Sequence, residues 1–444
     1  MAYLDLYVRT GGSNLNAGTT DTDTAALTVT GATANELSAG TVTITAASGT
    51  PFSAASVGQW VAVLFSSDTA ATFIAQIQTI GGSGANITVY NENSSSNAFI
   101  GQYSNANNGQ FVSGANTVNV RVGGAWANIV PVASTSSLYQ PLAKITNATG
   151  NSVRVNVKSG TYSSATAITL LSPAVVGKVV LFRGYATTAG DLDNVANPGT
   201  HPVLSFSSTA NLVMTAYTRL ENIDVTTSGT ANPLVSVTGL GVMLTRCRFT
   251  ATSGALTASG AGLNAWACYF STTSTTVTNT SCAANGGLPT FTQCVFQGGL
   301  YNVTASYTSA FLECVFKNST SHNILASTAS AGNVFHRCTF YNSGTTSDGI
   351  LSATNINYHS ITFCIFDTIK RYAVNSTNSS FVQFRLAGND YSSITSGQIN
   401  GVYESYQHAA ITESSSPFTS SSTNDFTLVS TSTAVTQTFV FEMP

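Results

Sequence analysis

The sequence predicts an all-β protein whose main body is a parallel β-solenoid, in which short strands wind in successive coils. Three observations lead to this prediction. Charged residues make up 7% of the 444-residue chain, whereas hydrophobic residues make up 43%, and typical soluble domains are about 25% charged. The chain contains 56 Ser, 65 Thr and 37 Gly, which favour strands and turns over helices. One short motif also recurs in the second half of the chain with a nearly constant period.

The recurring motif is a cysteine followed two residues later by an aromatic residue. It occurs six times, at intervals of 21, 26, 20, 24 and 26 residues. The average interval is about 23 residues, too short for a strand–helix–strand unit, which needs roughly 30, but suited to one solenoid coil. Because side chains alternate along a strand, the cysteine and the aromatic residue share a face. We expect both to face inward in stacked rows, formed by Cys247, Cys268, Cys294, Cys314, Cys338 and Cys364 and by Phe249, Phe270, Phe296, Phe316, Phe340 and Phe366.

The residues around each cysteine complete the coil. The residue between the cysteine and the aromatic residue and the residue before the cysteine are of mixed chemistry, so we expect both positions to face outward. A second apolar strand follows nine to twelve residues after the cysteine and includes Leu256, Val277, Val303, Ile324, Ile350 and Val374. The period extends beyond both ends of the repeat, to Ile223 and to Asn389.

Three roles are open for the seven cysteines. An odd number and an origin in a reducing cytoplasm disfavour a disulfide framework. A metal site would need C-x-x-C or Cys/His pairs, and the sequence contains neither. The third role, as small buried apolar side chains, is favoured. We therefore expect no cofactor and no bound metal.

The chain divides into four predicted segments. Residues 1–19 form the first strand and cap of the β-helix, and residues 20–116 form a small β module that is a candidate for attachment. The β-rich runs of this module have the spacing of a small antiparallel barrel or sandwich. Residues 117–394 form the parallel β-helix, and residues 395–444 form a C-terminal cap that could serve in oligomerisation.

Two stretches resemble pectate-lyase-like right-handed β-helix proteins. The opening, from Tyr7 to Thr19, is similar to the family pattern Y-V-x-x-x-G-x-x-x-N-x-G-T. The segment from Val157 to Tyr162 follows more than a hundred residues later than in that family, which implies an insertion, and Asn424-Asp425-Phe426-Thr427-Leu428 is similar to the segment that closes many such helices. The resemblance implies a right-handed parallel β-helix, a fold on which the enzymes are mostly polysaccharide lyases and hydrolases.

Candidate catalytic residues are few. Glycoside hydrolysis needs two carboxylates about 5 to 9.5 Å apart, and Asp348 and Asp367 could approach each other across neighbouring coils. Glu313 is a third candidate, although it should form an outward ion pair with Arg337 in the next coil. Asp191 and Asp193 loosely resemble a calcium loop, but a solvated turn is the simpler interpretation. The sequence does not require an enzyme.

Charge and hydropathy exclude two classes of partner. The net charge is −3 and no Lys/Arg cluster is present, so neither nucleic acid nor membrane insertion is expected. No run approaches 18 apolar residues. The N-terminus has no basic segment followed by an apolar one, so we expect assembly in a host cytoplasm.

A Ser- and Thr-rich β-rod with a small N-terminal module resembles the exterior proteins of tailed-bacteriophage particles. The resemblance implies a structural protein on the virion exterior, either a capsid decoration or knob or a tail spike or fibre. It would be anchored by its N-terminal region to other virion proteins, as a homotrimer, with host surface glycan as a candidate ligand. One alternative is a tailspike depolymerase that cleaves host polysaccharide. A second alternative is a bacterial adhesin or glycan-binding surface protein.

Overall fold

The computed structural model describes residues 3–38, 41–65, 73–90, 99–100, 116–127, 129, 152–170, 172–173, 177–192, 200–259, 262–274, 280–284, 286–326, 332–341, 347–353, 359–377, 383–400, 404–408, 411–413, 418–420 and 425–428. Regular structure in these residues is β-strand, apart from two short 3-10 helices, Pro51–Ala54 and Gly82–Gly84. The all-β prediction is confirmed. The chain forms two compact units, one of Met1–Tyr162, Leu170–Val203 and Tyr217–Asn222 and one of Ser163–Thr169, Leu204–Ala216 and Ile223–Pro444.

The first unit contains a parallel sheet that begins with the N-terminal strand. Its strands, in spatial order, are β1 (Tyr3–Val8), β9 (Ser152–Lys158), β12 (Val180–Tyr185) and β15 (Thr218–Glu221). Leu6 in β1 is the register partner of Val155 in β9, and both side chains are buried. The opening strand therefore pairs with a strand that follows about 150 residues later in the chain.

A barrel lies between these two strands in the sequence. Its antiparallel strands are β2 (Leu27–Ser38), β3 (Thr41–Thr45), β4 (Trp60–Phe65), β5 (Phe73–Gly81), β6 (Asn86–Tyr90) and β8 (Asn116–Val122), and β7 (Phe99–Ile100) pairs with β5. The order β4-β8-β2-β3-β6-β5 closes on itself because β4 also pairs with β5. Buried Val, Ile and Ala side chains fill the interior, as expected for so small a barrel. Of the two predicted forms, barrel or sandwich, the structure has the barrel, and β8 extends it beyond the expected boundary at residue 116.

A tryptophan closes the loop that follows β1. The Trp126 indole is fully buried, and its Nε1 donates to the carbonyl oxygen of Asn16 at 3.0 Å. Gly18 has a φ of +76°, and a Cβ there would clash with the Trp126 ring. Only glycine meets both conditions, which explains the Gly18 of the opening motif.

The second unit is the main part of the β-helix, with three parallel sheets. The first sheet contains β18 (Met243–Thr245), β21 (Asn264–Trp266), β24 (Thr290–Thr292), β27 (Ala310–Leu312), β30 (Val334–His336), β33 (His359–Thr362), β36 (Gln383–Ala387) and β39 (Glu404–His408). The second contains β10 (Thr161–Ser164), β13 (Val203–Phe206), β16 (Asp224–Thr227), β19 (Arg248–Ala251), β22 (Tyr269–Thr272), β25 (Val295–Gly298), β28 (Val315–Lys317), β31 (Thr339–Tyr341), β34 (Ile365–Asp367), β37 (Asp390–Ser392) and β40 (Ile411–Glu413).

The third sheet contains β11 (Ile168–Leu170), β14 (Leu212–Met214), β17 (Val235–Val237), β20 (Leu256–Ala258), β23 (Thr280–Ala284), β26 (Tyr301–Ala305), β29 (His322–Ala326), β32 (Ile350–Ser352), β35 (Tyr372–Ser376) and β38 (Gly397–Asn400). Each coil contributes one strand to each sheet, so the predicted parallel β-helix is confirmed. An antiparallel hairpin, β41 (Phe418–Ser420) and β42 (Asp425–Leu428), follows the last coil.

The motif aromatics stack along the inside of the coils. Adjacent rings are nearly parallel, with centroids 4.6 to 5.1 Å apart from Phe249 to Phe366, and Tyr391 extends the stack. A second stack, Phe291, Phe311 and Phe335, meets the first edge to face. Because parallel strands pair in strict register, like residues lie over like residues, and the interior is a set of aromatic columns.

In the third sheet, the structure differs from the predicted second strands at one residue. Leu256 pairs in register with Cys282, and Cys282 pairs with Val303. The seventh cysteine therefore takes the inward position that the sequence pattern gave to Val277, which lies outside the described residues. The physical reason is loop length: this coil is one of the two longest, so its strand begins later than the average period indicates.

The outward residues that directly follow the last five repeat cysteines form what we call the flank row: Tyr269, Val295, Val315, Thr339 and Ile365. This row faces outward from the coil as predicted, and Val295, Val315 and Ile365 are buried there in a cluster with Tyr341 and Phe418. Phe418 comes from the C-terminal hairpin. The described part of the C-terminal segment thus packs along the side of the helix, in addition to continuing the second sheet through β40.

Candidate functional site

A row of outward side chains lies at the corner between the first and second sheets. The residue directly before each cysteine has a positive φ of 51 to 56° at Arg246, Ala267, Gln293, Glu313, Arg337 and Phe363. This left-handed conformation is uncommon for residues other than glycine. It turns the chain sharply at every coil and directs the cysteine inward. We call these residues, together with the residue that precedes each of them, the corner row.

Aromatic side chains mark two ends of the corner row. Trp266 is 40% exposed and Phe363 is 41% exposed. They are four coils apart, or about 19 Å at the usual strand spacing. The Arg246 guanidinium lies 5.7 Å from the centroid of the Trp266 ring, and the His336 ring meets Phe363 edge to face at 5.7 Å. Both rings are therefore accessible to a ligand.

Polar side chains occupy the middle of the corner row. Gln293 Nε2 donates to Glu313 Oε2 at 3.1 Å, and Arg337 NH1 lies 3.6 Å from Glu313 Oε1. The predicted ion pair between Glu313 and Arg337 is therefore present, and both side chains remain partly exposed. The row offers amide, carboxylate and guanidinium groups between two apolar platforms.

Asp348, a predicted catalytic candidate, lies in a buried polar cluster beside β32. Its carboxylate is fully buried and accepts hydrogen bonds from the Tyr372 N–H at 3.1 Å and from Asn375 Nδ2 at 2.8 Å. Arg371 Nε lies 3.6 Å from the same carboxylate, on a side chain that is 41% exposed.

A histidine completes this cluster. The Asp348 N–H donates to His322 Nδ1 at 3.1 Å, and Asp348 Oδ2 lies 3.3 Å from the same ring nitrogen. Because Nδ1 accepts a hydrogen bond, the neutral ring carries its proton on Nε2. Burial lowers the pKa of His322, against the opposing effect of the Asp348 charge. Tyr301 stacks on the other side of the ring, at 5.8 Å.

Asp367, the second half of the predicted dyad, has a different environment. It ends β34, is fully buried, and accepts a hydrogen bond from Ser392 Oγ at 2.7 Å. Its register partners are Tyr341 and Ser392. Neither Asp348 nor Asp367 presents its carboxylate to solvent, so a dyad of these two residues stays a prediction.

The six repeat cysteines form one buried row. Cys314 Sγ is 3.4 Å from the carbonyl oxygen of Phe291 in the preceding coil, and Cys294, Cys338 and Cys364 make comparable contacts. All seven cysteines are free thiols. Burial raises the pKa of Cys247, Cys282 and Cys364, so these thiols are protonated and are poor nucleophiles.

The remaining metal candidate is a turn in the first unit. The Asp191 carboxylate accepts hydrogen bonds from the N–H groups of Ala186, Thr187 and Thr188 at 2.8, 2.6 and 2.9 Å. Although burial opposes them, these hydrogen bonds lower the pKa of Asp191. Asp193 lies outside the described residues. In the part of the chain that the structure describes, no three His, Cys, Asp or Glu side chains group as metal ligands.

The sequence analysis missed Trp266, His322 and Arg371. Trp266 could have been found, because an aromatic residue stands at an outward position that holds Thr245 and Thr292 in the neighbouring coils. His322 could also have been found, because it stands two residues before Ile324, as Asp348 stands two residues before Ile350 in the next coil. Arg371 gave no such signal, since it lies one residue out of that position. Among the described residues, the structure contains no helical segment with the length and hydrophobicity of a membrane span.

Comparison with known proteins gives low-identity structural neighbours. No family model matches the sequence, and no curated protein matches it. The tailspike protein gp49 of Pseudomonas phage LKA1 is similar with a TM-score of 0.39 and 10% identity, over 88% of this chain and 64% of that one. The ORF18 protein of Geobacillus virus E2 has a TM-score of 0.34 and 16% identity, over 60% and 54%.

A third neighbour is a mannuronic acid specific polysaccharide family 6 lyase from human gut microbiota, with a TM-score of 0.34 and 13% identity, over 59% of this chain and 78% of that one. The chain spans less than two thirds of the length of each of the two viral proteins. At such identities and TM-scores, the activity and partners of these proteins do not follow for this chain.

Proposed function

We propose that this chain is a structural protein on the exterior of a tailed-bacteriophage particle that holds host surface glycan along the corner row. The single observation that carries the glycan part is the arrangement of Trp266 and Phe363, both about 40% exposed, on either side of the Gln293, Glu313 and Arg337 network. Sugar rings offer apolar faces and hydroxyl edges, so aromatic platforms combined with polar groups suit them.

The role is binding without cleavage. General acid–base catalysis requires a titratable group within hydrogen-bond reach of the substrate. Glu313 is the carboxylate in the described corner row, and it is already engaged by Arg337 and Gln293. Asp348 and Asp367 are fully buried. The engagement of Glu313 and the burial of Asp348 and Asp367 support the proposal of binding without cleavage.

The N-terminal barrel is the proposed attachment module. It has its own hydrophobic core of Val, Ile and Ala residues, so it can hold its shape at a junction with other virion proteins. The same proposal includes that the chain forms a homotrimer and that it lies on the capsid or on the tail. Stoichiometric presence of the chain in purified particles would support it and would count against a bacterial adhesin.

Glycan binding is tested with purified protein and polysaccharide from the host surface. Replacing Trp266 and Phe363 together by alanine should weaken binding at least tenfold in calorimetric titration. Leu288→Ala is the matched control, because Leu288 is 67% exposed and lies outside the corner row. Equal binding by the wild type and the double variant would exclude the corner row as the glycan site.

A depolymerase is the second candidate function, and the cluster around Asp348 favours it. A buried carboxylate, an imidazole and a partly exposed guanidinium lie together there, and such groupings are common at catalytic sites. Incubation with host polysaccharide should release reducing ends or unsaturated sugars if this function is correct. Release by the wild type that is lost in His322→Gln would replace the non-enzymatic proposal.

A further inference from the structure

Two adjacent basic residues, Lys370 and Arg371, lie in the turn that joins β34 to β35. The sequence has only 15 Lys and Arg residues in 444, and no other two of them are neighbours. Lys370 is exposed, and the Arg371 side chain is 41% exposed. The turn follows β34, whereas the corner row precedes it. A ligand can therefore reach two positive charges at a place that is separate from the corner row.

The Arg371 guanidinium has contacts with the protein on two sides. Its Nε lies 3.6 Å from Asp348 Oδ1, and its central carbon lies 5.9 Å from the centroid of the Tyr372 ring. Asp348 is held in turn by the Tyr372 N–H and by Asn375 Nδ2. Because the carboxylate is fully buried and the guanidinium is partly exposed, Asp348 orients Arg371 from the interior.

Both basic side chains keep their hydrogen-bond donors. The contact between Arg371 and Asp348 is longer than a hydrogen bond, and within the described residues the Arg371 side chain donates none. In the same ranges, Lys370 has no ion-pair partner. A guanidinium offers its N–H donors as a planar fork that matches the oxygens of a carboxylate or a phosphate, and an ammonium adds three further donors.

The acidic side chains near the turn are less accessible than the basic ones. Asp348, the ion-pair partner of Arg371, is fully buried. Asp367, three residues before Lys370, is also fully buried and accepts a hydrogen bond from Ser392 Oγ at 2.7 Å. Since the carboxylates are buried and the basic groups are exposed, the charge that a ligand meets at this turn is positive.

We infer that Lys370 and Arg371 form a binding site for an oxyanion, a carboxylate or a phosphate, carried by a polymer of the host surface. The inference rests on the proposed binding of host surface glycan and adds a second, charged contact outside the corner row. Arg371 supplies the oriented fork of donors, and Lys370 supplies a second positive charge.

The test compares three forms of an acidic host polysaccharide by calorimetric titration. They are the native polymer, the polymer with its carboxyl groups reduced to alcohols, and the polymer freed of phosphate by hydrofluoric acid. Wild-type protein should bind the native polymer at least tenfold more tightly than one treated form, and added salt should reduce the difference. Loss of affinity on carboxyl reduction would assign the site to carboxylates, and loss on phosphate removal would assign it to phosphates.

The combined variant Lys370→Gln and Arg371→Gln should lose this preference and bind the less favoured form as the wild type does. Arg385→Gln provides the comparison, because it removes the same charge from an exposed arginine on the first sheet, and it should keep the preference. The Trp266 and Phe363 double variant should instead weaken binding to all three forms. A thermal melt of each variant verifies folding.

Equal affinity of the wild type for all three forms would overturn the oxyanion site and leave glycan binding by the corner row intact. An equal loss of preference in Arg385→Gln would overturn it as well, because the effect would then come from overall charge. Binding to none of the forms would remove the proposed glycan-binding function together with this inference.

Discussion

Two outward rows border the same cysteines, and their environments are opposite. On one side of the cysteines, the corner row keeps Trp266 and Phe363 about 40% exposed. On the other side, in the flank row, Val315 and Ile365 are each 2% exposed because the C-terminal hairpin covers them through Phe418. Strand alternation makes both rows point away from the helix axis. An outward direction in a solenoid therefore does not imply contact with solvent, because another segment of the chain can cover it.

The covered and open rows also differ in chemistry. The flank row holds the β-branched residues Val295, Val315, Thr339 and Ile365, whereas the corner row holds Gln293, Glu313 and Arg337. Burial of a Val or Ile side chain stabilises the fold by about 1.5 to 3 kcal/mol, so the flank row favours a covering segment. The corner row retains its hydrogen-bonding groups for a ligand.

The largest expected effect is the loss of folding caused by a charge at an interior position, and the two outward rows can be compared with it. Phe316→Asp places a charge inside the aromatic stack, where Phe296 and Phe340 lie 5.1 and 4.9 Å away. We expect no folded protein, because an unpaired buried charge has no compensating partner. Circular dichroism and soluble yield measure this outcome. A Phe316→Asp variant with an unchanged melting temperature would show that the ring does not face inward.

The next prediction compares one flank-row residue with one corner-row residue of the same coil. Val315→Asp, in the flank row, should lower the free energy of unfolding by about 3 to 5 kcal/mol. Glu313→Ala lies two residues away, on the other side of Cys314, and should lower it by no more than about 1 kcal/mol. Denaturant titrations of the two variants give the values. Similar losses would mean that both rows are equally exposed or equally covered.

A third prediction concerns Phe418, the hairpin residue that covers the flank row. Phe418→Ala should lower the free energy of unfolding by about 3 kcal/mol, at the lower end for a truncated phenylalanine, because Phe418 is buried against Val295, Val315 and Ile365. Combined with Ile365→Ala, the loss should be smaller than the sum of the two, since the residues share one contact. Strict additivity would show that Phe418 does not pack on the flank row in solution.

The smallest of these effects uses pH to distinguish buried from exposed histidines. Burial lowers the pKa of His359 to about 4, below the usual value of about 6.5. The unfolded chain therefore binds a proton that the folded chain does not. The contribution of His359 to the free energy of unfolding is fully present above about pH 6.5. It falls as the pH drops towards 4, by about 2 kcal/mol at pH 5. Burial of His322 acts in the same direction.

Melting temperatures at pH 7.5 and pH 5 measure this loss. His359→Gln should reduce the difference between the two values. His336→Gln, in the partly exposed corner row, should retain it because His359 is still present. A wild-type protein that is equally stable at both pH values would contradict the burial of His359.

Sequence periodicity was sufficient for the parts of the fold that every coil repeats. The C-x-F spacing predicts inward cysteines and phenylalanines, and the structure places Phe249 to Phe366 in one stack. The same reasoning failed at Val277, because one long coil shifts the register to Cys282. An average period cannot locate a strand after a loop of unusual length.

For the candidate site, the sequence supplied single residues but not their surroundings. The ion pair of Glu313 and Arg337 was predictable, because both occupy the same position in adjacent coils. In the cluster around Asp348, the neighbourhood of His322 and Asp348 was predictable in the same way, because each stands two residues before a register-paired isoleucine, whereas Arg371 occupies a different repeat position. Their burial depends on how those coils pack.

The amino-acid sequence by itself determined which side of each strand faces the axis, because side-chain alternation is a local property of the chain. Only the tertiary structure decided the closure of the N-terminal barrel, the burial of Asp348 and Asp367, and the covering of the flank row by Phe418. Each of these depends on contacts between residues that are far apart in the sequence, which no local pattern encodes.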